Sequence, residues 1–331
     1  MVEMTFEQKY DVCIDYMRSI AYNSYRSSEI NRFADVVELL AIFNKESGVS
    51  KGDVEDFLYG EIDNALEDDD ENVNESENND SRESFVNNIF QSLNDRVVLF
   101  ADLYPFIIDN NIIYLKGGIQ NREKNYIFLL ISSMLDIFKK FQPILTTDFE
   151  TVSYKAFKEY LPCAEVVPFG KNSKYIGNAK SKIKQLANDV GLPINKDEID
   201  EIDERNNQER GLDIIGWLPF DDNCPNKVVF LGQCACGYNY EYKQYDTSRY
   251  ENYYEFYKTH PQHTLFIPRI LINIVTQKFY HSDCIKKGFL VFERKRIVSL
   301  LKNNDIINEL NSKELVERCL ADTSEYYYKY Y

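Results

Sequence analysis

The 331-residue chain has no apolar run approaching the ~20 residues that a membrane-crossing helix requires. Its first residues, MVEMTFEQKYDVC, contain no basic region followed by an apolar stretch. A cytoplasmic protein without a membrane partner is the expectation. Glycine is scarce, at 13 residues, which excludes a collagen-like chain. Basic residues are in deficit too: 38 Lys and Arg face 54 Asp and Glu, for a formal charge of −16. Such a chain is a poor non-specific ligand for nucleic acid, because phosphate binding relies on Lys and Arg displacing counterions. A nucleic-acid substrate would then need metal ions, a local basic face or a partner subunit to offset the repulsion. Seven cysteines in a cytosolic chain point to reduced, buried thiols rather than disulfides.

What is present is an ordinary globular composition, 44% hydrophobic and 28% charged, with length enough for about two domains. From Phe6 to about Phe43 apolar residues recur at helical spacing, and Ser50, three residues before Asp53, looks like the N-cap of a helix through Leu58. The region 1–66 is therefore expected to be helical, a module for a protein partner or for self-association. Residues 67–80 (EDDDENVNESENND) hold eight Asp or Glu and no Lys or Arg, so 67–82 is expected to be a solvated acidic linker. Residues 83–146 read as a helical and mixed connecting region, with a break at Tyr104-Pro105-Phe106, a short strand at 111–115 and an apolar helix from Tyr126 to Phe141. From 147 to 331 the pattern is mixed: a helix capped by Thr147 or Asp148, another over 179–189, then two apolar runs, 212–220 and 228–235, around a loop rich in Asp, Asn and Pro. The fold class is α+β, a helical N-terminal region followed by a mixed sheet flanked by helices.

The two apolar runs form a hairpin in this reading. With its turn centred on Cys224, Asp213 faces residue 235 and stands diagonally next to Gln233 on the same side of the sheet. A turn centred one residue away is expected to reverse that facing. An Asp at the start of a buried apolar strand must be paired, hydrogen-bonded or metal-bound to offset its desolvation. Two readings stay open: Asp213 caps the preceding loop or pairs with Arg210, or it joins Gln233 around a cation. A buried Gln satisfied by backbone groups is the plain reading of Gln233.

A helix bearing Phe149-Glu150, then Gly211-Leu212-Asp213-Ile214-Ile215, then Val228-Val229-Phe230-Leu231-Gly232-Gln233-Cys234 resembles the PD-(D/E)XK nuclease superfamily, and within it the Mrr-like restriction endonucleases. In their pattern the second strand ends in Gln-x-Lys; here the lysine position is Ala235. The resemblance implies a restriction-endonuclease-like sheet and Mg²⁺-dependent (or Mn²⁺-dependent) hydrolysis of DNA, of restriction or anti-phage defence type. It assigns metal binding to Asp213, the Gln233 side-chain oxygen, the Cys234 backbone carbonyl and Glu150, and it assigns the displaced amine to Lys243. Lys227 is excluded as that amine because it begins the strand that Gln233 ends, about 20 Å away.

Two other classes compete. A chain that has lost its lysine could be a catalytically inactive interaction subunit of nuclease fold. A zinc-stabilised binding module could use Cys234, Cys236, Cys284 and the three histidines, 260, 263 and 281, although their spacing matches no usual zinc motif. Residues 238–257 hold eight tyrosines, whose expected use is packing, with base stacking as the alternative. Glu293-Arg294-Lys295-Arg296 reads as a solvated basic helix face, and the tail 326–331 as partly ordered.

Overall fold

A computed structural model describes residues 6–23, 29–66, 75–170, 172–205, 211–220, 222, 224, 226–255, 259–273, 278–279 and 288–321. The chain forms two compact units, one of 1–139, 271–280 and 313–331, the other of 140–270 and 281–312.

In the first unit, helices α1 (Phe6–Asn23), α2 (Ile30–Phe43), α3 (Lys51–Leu66), α4 (Glu75–Phe100) and α5 (Asn121–Ser133) accompany a small antiparallel sheet. Its strands are β1 (Val49–Ser50), β2 (Phe106–Asp109) and β3 (Ile112–Leu115), in the order β1-β3-β2. Ser50 does cap α3: its Oγ accepts from the Asp53 amide at 3.1 Å while Asp53 accepts from the Ser50 amide at 2.8 Å. Three expectations are corrected. Residues 75–80 open α4 instead of continuing a linker, in keeping with the preference of acidic residues for the first turns of a helix; residues 67–74 lie outside the described residues. Phe106 starts a strand, and the apolar helix ends at Ser133, not Phe141. α2 is buried at every residue from Phe33 to Phe43 and is apolar on most of its surface. Its two acids share one cation: Arg96 Nη1 lies 2.7 Å from Asp35 and 2.8 Å from Glu38, and the Tyr104 and Tyr126 hydroxyls donate to Glu38 at 2.6 and 2.8 Å.

The second unit is a five-stranded mixed sheet between helices. Along the chain come α6 (Gln142–Tyr160), β4 (Glu165–Pro168), α7 (Ala179–Val190), α8 (Lys196–Asp200), β5 (Ile214–Trp217), β6 (Val229–Cys234), α9 (Tyr240–Lys243), α10 (Tyr250–Tyr253) and β7 (Gln262–Phe266). The hairpin β8 (Ile272–Asn273) and β9 (Lys278–Phe279) falls within the first unit. Next are β10 (Leu290–Phe292) and α11 (Arg294–Leu300) of the second unit, and then α12 (Lys313–Leu320) of the first. The sheet order is β10-β7-β6-β5-β4, with β4, β5 and β6 antiparallel and β6, β7 and β10 parallel. Side-chain alternation divides the core. On one face Phe157 of α6 meets Phe230, Phe266 and Phe292 edge-on at 5.3–5.7 Å. On the other, Ile215, Trp217, Val229 and Leu231 cluster with Ile183, Leu186 and Val190 of α7. α7 begins with Asn178 accepting from the Ser181 amide and stops at Gly191, whose φ of 78° suits glycine.

α6 starts a full two turns earlier than expected, with Pro143 in its first turn. Asp148 is therefore no cap. It is buried in mid-helix and accepts from the Ser312 amide at 2.6 Å and from Asn311 at 3.1 Å. The Glu293–Arg296 cluster is also reassigned, since Glu293 and Arg294 are fully buried, and Glu293 caps α11 by accepting from the Arg296 amide. The tail 326–331 lies outside the described residues.

Candidate functional site at the end of the central hairpin

Strands β5 and β6 pair Ile214 with Gly232 and Ile215 with Leu231, so the hairpin is centred one residue before Cys224. That shift alters the pairing sum by two. It keeps every side chain on its expected face and moves Asp213 from diagonal to directly opposite Gln233; only a half-residue shift of centre reverses faces. The two side chains touch. Gln233 Nε2 donates to Asp213 Oδ2 at 2.9 Å, and the Cys234 amide donates to the same oxygen at 2.7 Å. Nε2 also lies 3.4 Å from the Cys234 carbonyl, so its two acceptors set the amide's orientation. Asp213 is 6% exposed and Gln233 5%. The Gln233 Oε1 is left buried without a hydrogen-bond partner among the described residues.

Glu150 joins them from α6. A Cβ built on Gly170, just beyond β4, would stand 2.7 Å from Glu150 Oε2 and 3.2 Å from Asp213 Oδ1. The two carboxylates thus converge over a glycine that leaves them room. Gly170 is itself anchored by its amide donating to the Asp213 carbonyl at 3.0 Å. The Cys234 thiol is pushed far above its ordinary pKa by burial and by the negative charges of Asp213 and Glu150. With no metal beside it the thiol stays protonated, which makes it unsuited to act as a thiolate nucleophile.

The structure brings Glu150, Asp213, Gln233 and Cys234 together. It leaves Lys243 apart from them: its half-exposed ammonium pairs with Asp246 Oδ2 at 3.7 Å and with no residue of the cluster. Asp246 in turn packs against Gly211, two residues before Asp213. Ala235, at the position of the family lysine, is buried. Lys227 donates to the Val190 carbonyl at the end of α7, far from the cluster as its place in the strand requires. Arg210, His281 and Cys284 lie outside the described residues. His263 has both ring nitrogens engaged, with Thr247 Oγ1 at 2.9 Å and Glu251 at 2.7 Å. Among the described residues, no group of three or more His, Cys, Asp or Glu is arranged to hold a metal ion. A site here must draw on the amide and on backbone oxygen. Of the tyrosines, 240, 250, 253 and 254 are buried in packing, whereas Tyr242 and Tyr245 are exposed.

Sequence reasoning missed two residues near the cluster. Gly170 carries no chemical signal of its own, and Arg269 is a single cation directly after the apolar run Leu265-Phe266-Ile267-Pro268. No helix among the described residues is long and apolar enough to cross a membrane. The chain matches no protein-family model, no curated protein and no solved structure.

Proposed function

We propose that the protein is a Mg²⁺-dependent (or Mn²⁺-dependent) DNA endonuclease of restriction or anti-phage defence type, acting through the cluster at the β5–β6 end. The observation that carries this reading is the unpartnered Oε1 of Gln233. A buried acceptor without a donor costs about 1–3 kcal/mol, a cost that a bound cation would remove. The neighbouring donors are all oxygens: the carboxylates of Asp213 and Glu150 and the Cys234 carbonyl. That set suits a hard divalent cation. The mixed sheet flanked by helices also agrees with the architecture that the resemblance implies.

In this mechanism Asp213 and Gln233, fixed by the hairpin, would be the central ligands of the metal. Gln233 Nε2 now bridges Asp213 Oδ2 and the Cys234 carbonyl. A half-turn of the amide would exchange it for Oε1, directing a third oxygen to the same point. The converging charges of Glu150 and Asp213 favour a cation there. A bound Mg²⁺ would supply an attacking water of lowered pKa and neutralise phosphoryl charge. Glu150 would hold water on the helix side. Lys243 would have to leave Asp246 to orient the nucleophile. Because Gln replaces a carboxylate, the site holds one negative charge fewer, which ties full assembly to the DNA phosphate.

One observation favours a second reading. Gln233 Nε2 already satisfies Asp213 as a cation would, and Lys243 is engaged elsewhere, as suits an inactive subunit of a larger complex. Incubation with DNA in Mg²⁺ or Mn²⁺ separates the two. The nuclease reading expects divalent-dependent cleavage that is lost in Asp213→Ala; an absence of cleavage with any nucleic acid, or undiminished cleavage by that variant, rejects it, and stable co-purification with another chain would then support the subunit.

A further inference from the structure

Arg269 lies three residues beyond β7, at the same end of the sheet as Gln233 and Cys234. It is only 7% exposed, yet it forms no ion pair with any carboxylate among the described residues. Its guanidinium makes one hydrogen bond, from Nη2 to the Cys236 carbonyl at 3.1 Å, and lies over the Tyr238 ring at 3.9 Å. Nε is buried with no partner. Cys236 follows Cys234 by two residues, a chain length of about 7 Å. Arg96 in the first unit gives the measure of what is missing. Its Nε is orphaned as well, but two carboxylates neutralise its charge. Burying a cation without an anion costs several kcal/mol. A tyrosine face and one carbonyl return only part of that.

We propose that Arg269 is a phosphate-binding residue, its counter-charge being a phosphate group of the nucleic-acid strand delivered beside the Glu150–Asp213–Gln233 cluster. Guanidinium is the side chain best shaped for this, since its planar fork meets two phosphoryl oxygens at once. Tyr238 and the Cys236 carbonyl hold the fork in place before the ligand arrives. The positive charge that the Ala235 position lacks would come from the end of β7, sparing Lys243 its departure from Asp246. The identity of the phosphate rests on the nuclease reading; the binding of phosphate does not.

The test uses the full-length chain in EDTA, so that cleavage plays no part. Thermal unfolding is followed with increasing inorganic phosphate against chloride at matched ionic strength. Wild type should show a saturable rise of about 2 °C or more, absent in Arg269→Gln, reduced in Arg269→Lys and preserved or enlarged in Asp213→Asn. Without phosphate, Arg269→Gln should melt no lower than wild type, because it removes an uncompensated charge. No rise beyond chloride in wild type, or an equal rise in Arg269→Gln, overturns the proposal. So does a variant that melts several degrees lower with its phosphate response intact, since Arg269 would then be only a pin for the 235–238 segment. Should Arg269→Gln fail to fold, Arg269→Lys decides by the same comparison. A phosphate response that depends on Arg269 in a protein that cuts no DNA would overturn the nuclease reading alone.

Discussion

Each unit brings two carboxylates close together, and the two pairs are finished differently. In the first, Asp35 and Glu38 are bridged by Arg96, and the Tyr104, Tyr126 and Ser133 hydroxyls donate to them. In the second, Asp213 and Glu150 converge over a glycine, and among the described residues the neighbouring amide oxygen has no donor and a buried guanidinium at the same sheet end has no carboxylate. The same residue types thus serve opposite ends. A closed network spends its charges on holding helices in register, and an incomplete one keeps acceptors and donors for something from outside.

The largest expected break in that comparison is at Arg96. Replacing it with Ala strands Asp35 and Glu38 in the core and should cost about 3–5 kcal/mol, read from denaturant unfolding. Asp213→Asn should change stability by less than about 1 kcal/mol, because functional sites are seldom optimised for stability. A loss at Asp213 equal to that at Arg96 would mean that the second cluster is structural too. Gly170→Ala sharpens the contrast: its Cβ would push into Glu150 and Asp213, so cleavage should fall at least about 100-fold while the melting temperature moves little.

The next effect concerns pH. Burial raises the Glu293 carboxyl from its ordinary value of 4.5 to about 7, against the opposing pull of amide donors and nearby arginines. An acid whose folded pKa is raised favours the fold fully below its unfolded pKa, and that advantage disappears as pH climbs through the folded value. Stability should therefore decline between about pH 4.5 and 7 by up to roughly 3 kcal/mol from this group, and Glu293→Gln should flatten the decline. Parallel profiles of melting temperature against pH would contradict it. The smallest effect is at Gln233. Gln233→Glu restores a third carboxylate and should tighten Mn²⁺ binding about tenfold, measured by calorimetry; unchanged or weaker binding would place the amide outside the ligand set.

The Asp213–Gln233 pair was legible because period-two alternation and a hairpin leave few options for two polar residues at adjoining strand ends. The turn centre was off by one residue, and the cross-strand pairing therefore by two, because a loop of Asp, Asn, Cys and Pro does not specify its own centre. The true start of α6 was signalled by Gln142-Pro143, but Asp148 and Thr147 offered a more familiar cap, and the donor that claims Asp148 lies 164 residues away at Ser312. Long-range closure also hid Glu293 and Arg294, whose charges pointed to solvent while the strand ends and turns of the sheet buried them. Arg269 was illegible for a related reason: its importance is the lack of a carboxylate partner, which only the folded chain reveals.

The most direct test of the central claim is a calorimetric titration of Mn²⁺ into the full-length protein with duplex DNA present, comparing wild type with Asp213→Ala. A stoichiometric binding event in wild type that disappears in the variant is the predicted result. No binding in wild type, or identical binding in both, would mean that the cluster at the hairpin end is not a cation site.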